Sequence, residues 1–227
     1  MSTMERVDAS PRWMRVLIAA GVLLAVLLLG ASAGLVIPGA GRGPALPGPD
    51  SVDVGFSQDM TVHHRQAVLM AGITRDRSGD PAVRTLAYDV ETSQQEQIGR
   101  MQAFLSLWDA APFPTGKHMT WMRGTMSMGS MDHGGGAGVA VMPGMASAED
   151  LARLRQTSEA EFDVLFLQLL VRHHQGGAAM LQDAAARAEL PQVRNLAARM
   201  LEAQSAETEA MITMLAERGA APLAPPA

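Results

Sequence analysis

The chain has 227 residues, a formal net charge of −5 at neutral pH and no cysteine. That length suffices for one substantial core plus an additional segment. The missing cysteines exclude disulfides, thiolate metal sites and cysteine nucleophiles together, and an acidic chain without a basic block is not built to hold nucleic acid.

Aromatic residues are scarce, alanine is plentiful and β-branched runs are few, so an all-α chain is expected. Residues 1–15 read as a cytoplasmic N-terminus. Residues 16–37 ("VLIAAGVLLAVLLLGASAGLVI") are uncharged and, at ~1.5 Å per residue, long enough to cross a bilayer. Arg12 and Arg15 precede this run and no Lys or Arg follows until Arg42, so the positive-inside tendency exports everything after it. "ASA" at Ala31–Ala33 also resembles a signal-peptidase site, which makes a secreted form cleaved near Ala33 the alternative to a single-pass membrane anchor. The apolar "GLVI" beyond that site favours the anchor. Residues 38–50, rich in glycine and proline, read as a flexible tether.

Residues 51–219 are expected to form one helical domain. A first helix runs roughly Val52–Arg77. Asp80 before Pro81 is an N-cap followed by proline at the first helical position, and the second helix reaches about Trp108. Residues 116–146 form a methionine-rich loop. "SAED" at Ser147–Asp150 resembles a capping box, so a short helix follows the loop. A long helix from near Ser158 to about Ala188 and a last one from Pro191 to near Gly219 complete the domain, and residues 220–227 are a tail.

Shifting the sequence by 110 residues lays the second pair of long helices on the first without a gap. "VHH" at Val62–His64 meets "RHH" at Arg172–His174, Phe56 meets Phe166, Met70 meets Met180, and "PAVRTLA" at Pro81–Ala87 meets "PQVRNLA" at Pro191–Ala197. The domain reads as a duplicated helical hairpin, and two amphipathic hairpins make a four-helix bundle.

Helical residues advance about 100° each. His63 therefore shares a face with Phe56, Asp59, Met60, Ala67 and Met70, and His173 shares one with Phe166, Leu170, Gly177 and Met180. The first histidine of each pair points into the bundle; His64 and His174 flank the seam. Gln94 and Gln97 fall on the apolar face of the second helix, as Gln204 and Glu207 do on the last. Buried polar groups need partners, and the inward histidines are the obvious ones. Taken singly, each motif is ordinary core material: a hydrogen-bonded histidine, a methionine filler. Gly176 and Gly177 read either as close helix packing or as room for something bound.

The loop holds Met119, Met122, Met126, Met128, Met131, Met142 and Met145 together with the remaining histidines, His118 and His133. Its glycines rule out a hydrophobic helix, so these methionines fill no core of their own and are expected to be exposed. Thioether and imidazole without thiolate suit Cu(I), and with histidine also Cu(II). Zinc gains little from methionine, calcium and magnesium need oxygen ligands, and the Glu-x-x-His pairs of a di-iron bundle are missing.

"MTVHHRQAVLMA", "FDVLFLQLLVRHHQGGAAM" and the paired "LA…Q…M" helices resemble the domain-of-unknown-function 305 family over about Val52–Arg218. The resemblance implies a ferritin-like four-helix bundle and, from its exported copper-binding members, metal binding by helix histidines and methionines and by methionines between the units. Carried onto this chain, the implied ligands are His63, His64, Met60, Met70, His173, His174 and Met180, with the Met119–Met145 stretch beside them. Leu170 stands where the first unit has Met60, so the two halves are not equivalent.

The expectation is an extracytoplasmic protein that sequesters or hands on copper, Cu(I) foremost. It is not expected to be an enzyme, because no nucleophile arrangement, phosphate loop or carboxylate pair stands out. A ferritin-like redox enzyme and a metal-free structural bundle are the competing readings. Copper ions and the membrane are the partners read from the sequence; a copper-handling protein partner is unspecified. Copper binding is expected to weaken in acid, since a free histidine titrates near pH ~6.5, with some binding by the loop methionines surviving because their sulfur does not titrate.

Overall fold

The computed structural model describes residues 11–36, 45–122 and 138–226. It falls into two compact units, the chain up to Leu46 and the chain from Pro47 onward. The first unit is helix α1 (Arg12–Val36), and its stretch Arg12–Ser32 is long and apolar enough to cross a membrane. An uncharged run of leucine, valine and alanine satisfies its own backbone as a helix and leaves its side chains exposed.

The second unit is all-helical: α2 (Val52–Arg77), α3 (Pro81–Leu107), α4 (Ala148–Gln156), α5 (Glu159–Arg187) and α6 (Pro191–Glu217). The long helices start where the capping residues dictate. Ser51 accepts from the Val54 amide, and Asp80 caps Ala82 and Val83 before Pro81 opens α3. Ser147 and Asp150 form the reciprocal capping box of α4. Pro191 opens α6 with no cap of its own. Asp53, fully buried on α2, accepts from the amides of Glu189 and Leu190 and does that job from another helix.

Three-residue turns fold α2 onto α3 and α5 onto α6, and the two hairpins meet through α2 and α5. Two apolar clusters hold them together. One gathers Ala67, Met70, Leu154, Phe162, Phe166, Leu170, Met211 and Leu215. The other gathers Phe56, Met60, Met101, Met119, Trp121, Met122, Met142, Met180 and Met200. Along both α2 and α5 the histidine pairs fall between these clusters. The inequivalence of Met60 and Leu170 thus belongs to a larger asymmetry: one end of the bundle is packed with methionine, the other mainly with phenylalanine and leucine.

The flanks of the inter-unit loop are part of this core, which corrects the expectation that its methionines are exposed. Met119, Met122 and Met142 are buried, and Met145 packs against the same cluster. The cause is Asp59, buried on α2. Its Oδ1 accepts from His118 Nδ1 at 2.7 Å, and its Oδ2 accepts from the Met119 amide at 2.7 Å and Trp121 Nε1 at 2.8 Å. The Trp121 indole lies on Gly55, where a Cβ would come within 2.3 Å of it. A bridge between His118 and Val139 ties the outgoing strand of chain to the returning one. Met126, Met128, Met131 and His133 lie outside the described residues.

Candidate metal centre

His63 and His173 point into the bundle, as periodicity implies, and there they meet face to face. Their ring centroids are 3.8 Å apart with the planes at 35°. His64 and His174 are not at a seam, however. They are as buried as the inward pair, because Gln97 and Glu207 reach over them from α3 and α6. His64 Nε2–H donates to Gln97 Oε1 at 2.7 Å, and His174 Nε2–H donates to Glu207 Oε2 at 2.7 Å. The inward histidines use backbone instead. His173 Nε2–H donates to the His63 carbonyl at 3.1 Å, and His63 Nε2 stands 3.4 Å from the Pro143 carbonyl.

These partners decide the tautomer. Each Nε2 faces an acceptor and so carries the hydrogen, which leaves the lone pair on Nδ1. All four Nδ1 atoms are buried without a hydrogen-bond partner. The expected pairing with Gln94 and Gln204 does not occur: both carboxamides are buried, and both polar atoms of each lack a protein partner. A buried group left unsatisfied costs ~1–3 kcal/mol. These nitrogens and carboxamides are the polar atoms of the core left to bond a ligand or an ordered water.

Burial keeps the imidazoles of His63, His64 and His173 neutral. Loss of solvation, with repulsion from His64, holds His63 at about 3. Loss of solvation also holds His64 at about 4. His173 is pushed well below the ordinary histidine value by burial and by His63 beside it. Proton competition at these rings therefore sets in far below the pH of 6.5 expected from a free histidine.

The two glycines after the second pair divide the two readings between them. Gly176 is a packing glycine: a Cβ there would lie 2.2 Å from the Pro143 carbonyl oxygen, where the returning loop crosses α5. Gln66 fixes that crossing, donating to the Ala146 carbonyl at 2.9 Å and accepting from its amide at 2.7 Å. Gly177 is different. A Cβ there would meet His63 Cε1 at 3.0 Å, His63 Nδ1 at 3.5 Å and Gln204 Oε1 at 3.7 Å. The missing methyl group leaves a small cradle bordered by two unpartnered polar atoms. In the first unit the matching residue is Ala67.

Of the remaining candidates, Met60 and Met180 sit in the cluster on one side of the stacked rings, and Met70 in the cluster on the other. His118 is held apart by Asp59, which leaves Nε2 as its outward nitrogen, the arrangement in which a carboxylate orients an imidazole toward a metal. Among the described residues no three His, Asp or Glu side chains converge as a ready ligand set. Asp53 and Trp121 escaped the sequence reading, and Asp59, placed on the inward face with His63, was given no partner there. The available signal was the two carboxylates, Asp53 and Asp59, in the first two turns of the helix on the side of its apolar residues.

A family model described as a domain of unknown function, DUF305, matches residues 53–215. Among solved structures, a DUF305 protein of Streptomyces coelicolor described as secreted is 38% identical, with a TM-score of 0.69 over 78% of this chain and 99% of that one. A DUF305 fragment from Deinococcus radiodurans is 30% identical, with a TM-score of 0.60 over 77% and 99% of the two chains. CopM in its Cu(I)-bound form is 22% identical, with a TM-score of 0.54 over 74% and 96%, and shares the fold. CopM is also known in Cu(II)- and Ag-bound forms. No curated protein matches the sequence significantly.

Proposed function

The chain belongs to the DUF305 family, and from that premise we propose that it is an extracytoplasmic copper-binding protein that sequesters or hands on copper and carries out no reaction of its own. The observation that carries the reading is the Gly177 cradle. There an imidazole Nδ1 and a carboxamide oxygen, both buried and unpartnered, border the place of a missing methyl group. Neutral imidazole, with Met60 and Met180 on the same helices in the adjoining methionine-rich cluster and no cysteine in the chain, is a donor set for Cu(I). The copper- and silver-bound forms of CopM support the same ion on the same fold. His63 and His173 are the primary ligands, His64 and His174 the neighbouring ones, and the Met119–Met145 stretch with His118 and His133 holds weaker sites. Helix α1 anchors the domain to the membrane on its outer side.

The test is metal analysis of the full chain after copper loading, with zinc, iron and nickel as competitors. Retention of copper against all three is the expected result. Equal or tighter binding of zinc overturns the assignment.

A further inference from the structure

Copper bound at the cradle has to reach imidazoles that have almost no exposed surface. A groove of about 260 Å³ runs between α5 and α6. His174, Gln175, Gln204, Ser205, Thr208 and Glu209 line it together with the apolar Ala178 and Leu201. Two of these side chains are more than nine-tenths buried and carry unpartnered polar atoms: Gln204 at both ends of its carboxamide and His174 at Nδ1. Gln204 connects groove and centre, because its Oε1 also borders the cradle at Gly177.

The internal repeat provides the comparison. In the first unit Val68 stands for Ala178, Gln95 for Ser205 and Ile98 for Thr208. Each is bulkier, and Val68 and Ile98 are packed into the methionine-rich cluster. Charge differs in the same sense. Arg65 stands for Gln175, Gln97 for Glu207 and Gly99 for Glu209. The Arg65 guanidinium lies over the Phe113 ring at 4.4 Å. Glu91, in the place of Leu201, is paired with Arg75 at 2.8 Å. One face of the bundle thus presents mostly small side chains and the Glu209 carboxylate, and its counterpart presents bulk and a guanidinium. A carboxylate at a cleft attracts cations and speeds their capture.

We propose that the groove between α5 and α6 is the port through which Cu(I) enters the bundle, drawn by Glu209 and passed across the Gln204 carboxamide to the cradle, while the matching face of the first unit is closed. The port rests on the copper reading above and adds the route to it.

The experiment writes the first unit's residues into the second in the full chain: Ala178→Val, Ser205→Gln and Thr208→Ile together. Cu(I) is delivered from a chelator buffer, and the imidazole nitrogen resonances of the buried histidines report its arrival. The closed variant is expected to load more slowly than the parent, with equal copper content at equilibrium and an unchanged helical spectrum. The reciprocal changes Val68→Ala, Gln95→Ser and Ile98→Thr, added to the closed variant, are expected to restore fast loading through the other face. They also keep the test decisive if the closed variant folds poorly, since on the parent they should accelerate loading. Loading of a folded closed variant at the parental rate overturns the port and leaves the copper reading intact. Loss of its copper at equilibrium makes the groove the binding site itself and also overturns the port. No shift of the imidazole resonances in the parent overturns the copper reading at these histidines and the port with it.

Discussion

His63 and His173, equivalent residues of a duplicated hairpin, stack with their ring centroids 3.8 Å apart at the crossing of α2 and α5. His173 also donates to the backbone carbonyl of His63. The double change His63→Ala, His173→Ala is expected to remove the tightest copper site while leaving weaker binding by the Met119–Met145 stretch. Copper titration against a competing chelator checks this. Full retention of the tight site would remove both residues from the centre.

Gly177→Ala is a sharper probe because it adds a single methyl group. That group would fall 3.0 Å from His63 Cε1 and 3.5 Å from its Nδ1. Alanine is favoured over glycine in a helix interior by roughly 0.5–1 kcal/mol, which offsets the tight contact. The expected outcome is copper affinity lowered at least about tenfold, equivalent to ~1.4 kcal/mol, at a melting temperature close to that of the parent. Undiminished copper affinity would show that the cradle is packing alone.

Acid is expected to destabilise the metal-free protein below pH 6.5. His63 and His64 are held at about 3 and about 4 in the folded chain, mainly by burial, and return to about 6.5 on unfolding. Between those values the unfolded chain binds more protons, so stability rises with pH and is lost as pH falls. Each such histidine contributes a slope of up to ~1.4 kcal/mol per pH unit. Urea unfolding of the metal-free protein at pH 7 and pH 5 measures it. Equal midpoints would mean that these rings are hydrated rather than enclosed.

Asp59→Ala removes three hydrogen bonds at once, from His118, the Met119 amide and Trp121. Losing a buried carboxylate that accepts from several donors is expected to cost ~3 kcal/mol. The loop flank should loosen and expose Met119 and Met122, now 4% and 5% accessible. Peroxide oxidation read by mass spectrometry should find both modified faster than in the parent, while Met70, in the other cluster, changes little. Uniform oxidation rates in the two proteins would show that Asp59 does not hold the flank.

The helices, their caps, the duplication and the inward direction of His63 and His173 were legible in the sequence. They follow from local rules: a 100° step per residue, an Asp or Ser before a helix, a proline at its first turn. The copies of one hairpin, laid side by side, needed only the offset between them. What the tertiary structure alone decided is which atom of each polar side chain has a partner. Gln97 and Glu207 bond the outer histidines and leave Gln94 and Gln204 unpartnered. Periodicity places all four of these residues on one face, and only the distance between helices selects among them. The same holds for the loop. Its composition reads as exposed chain, yet Asp59, sixty-two residues before Trp121, draws its flank into the core. Gly176 and Gly177 are adjacent and identical in sequence, and the neighbours across the helix interface make one a packing contact and the other a cradle. Contacts between residues far apart in the chain depend on how whole helices settle against one another, and no local pattern of residues encodes that.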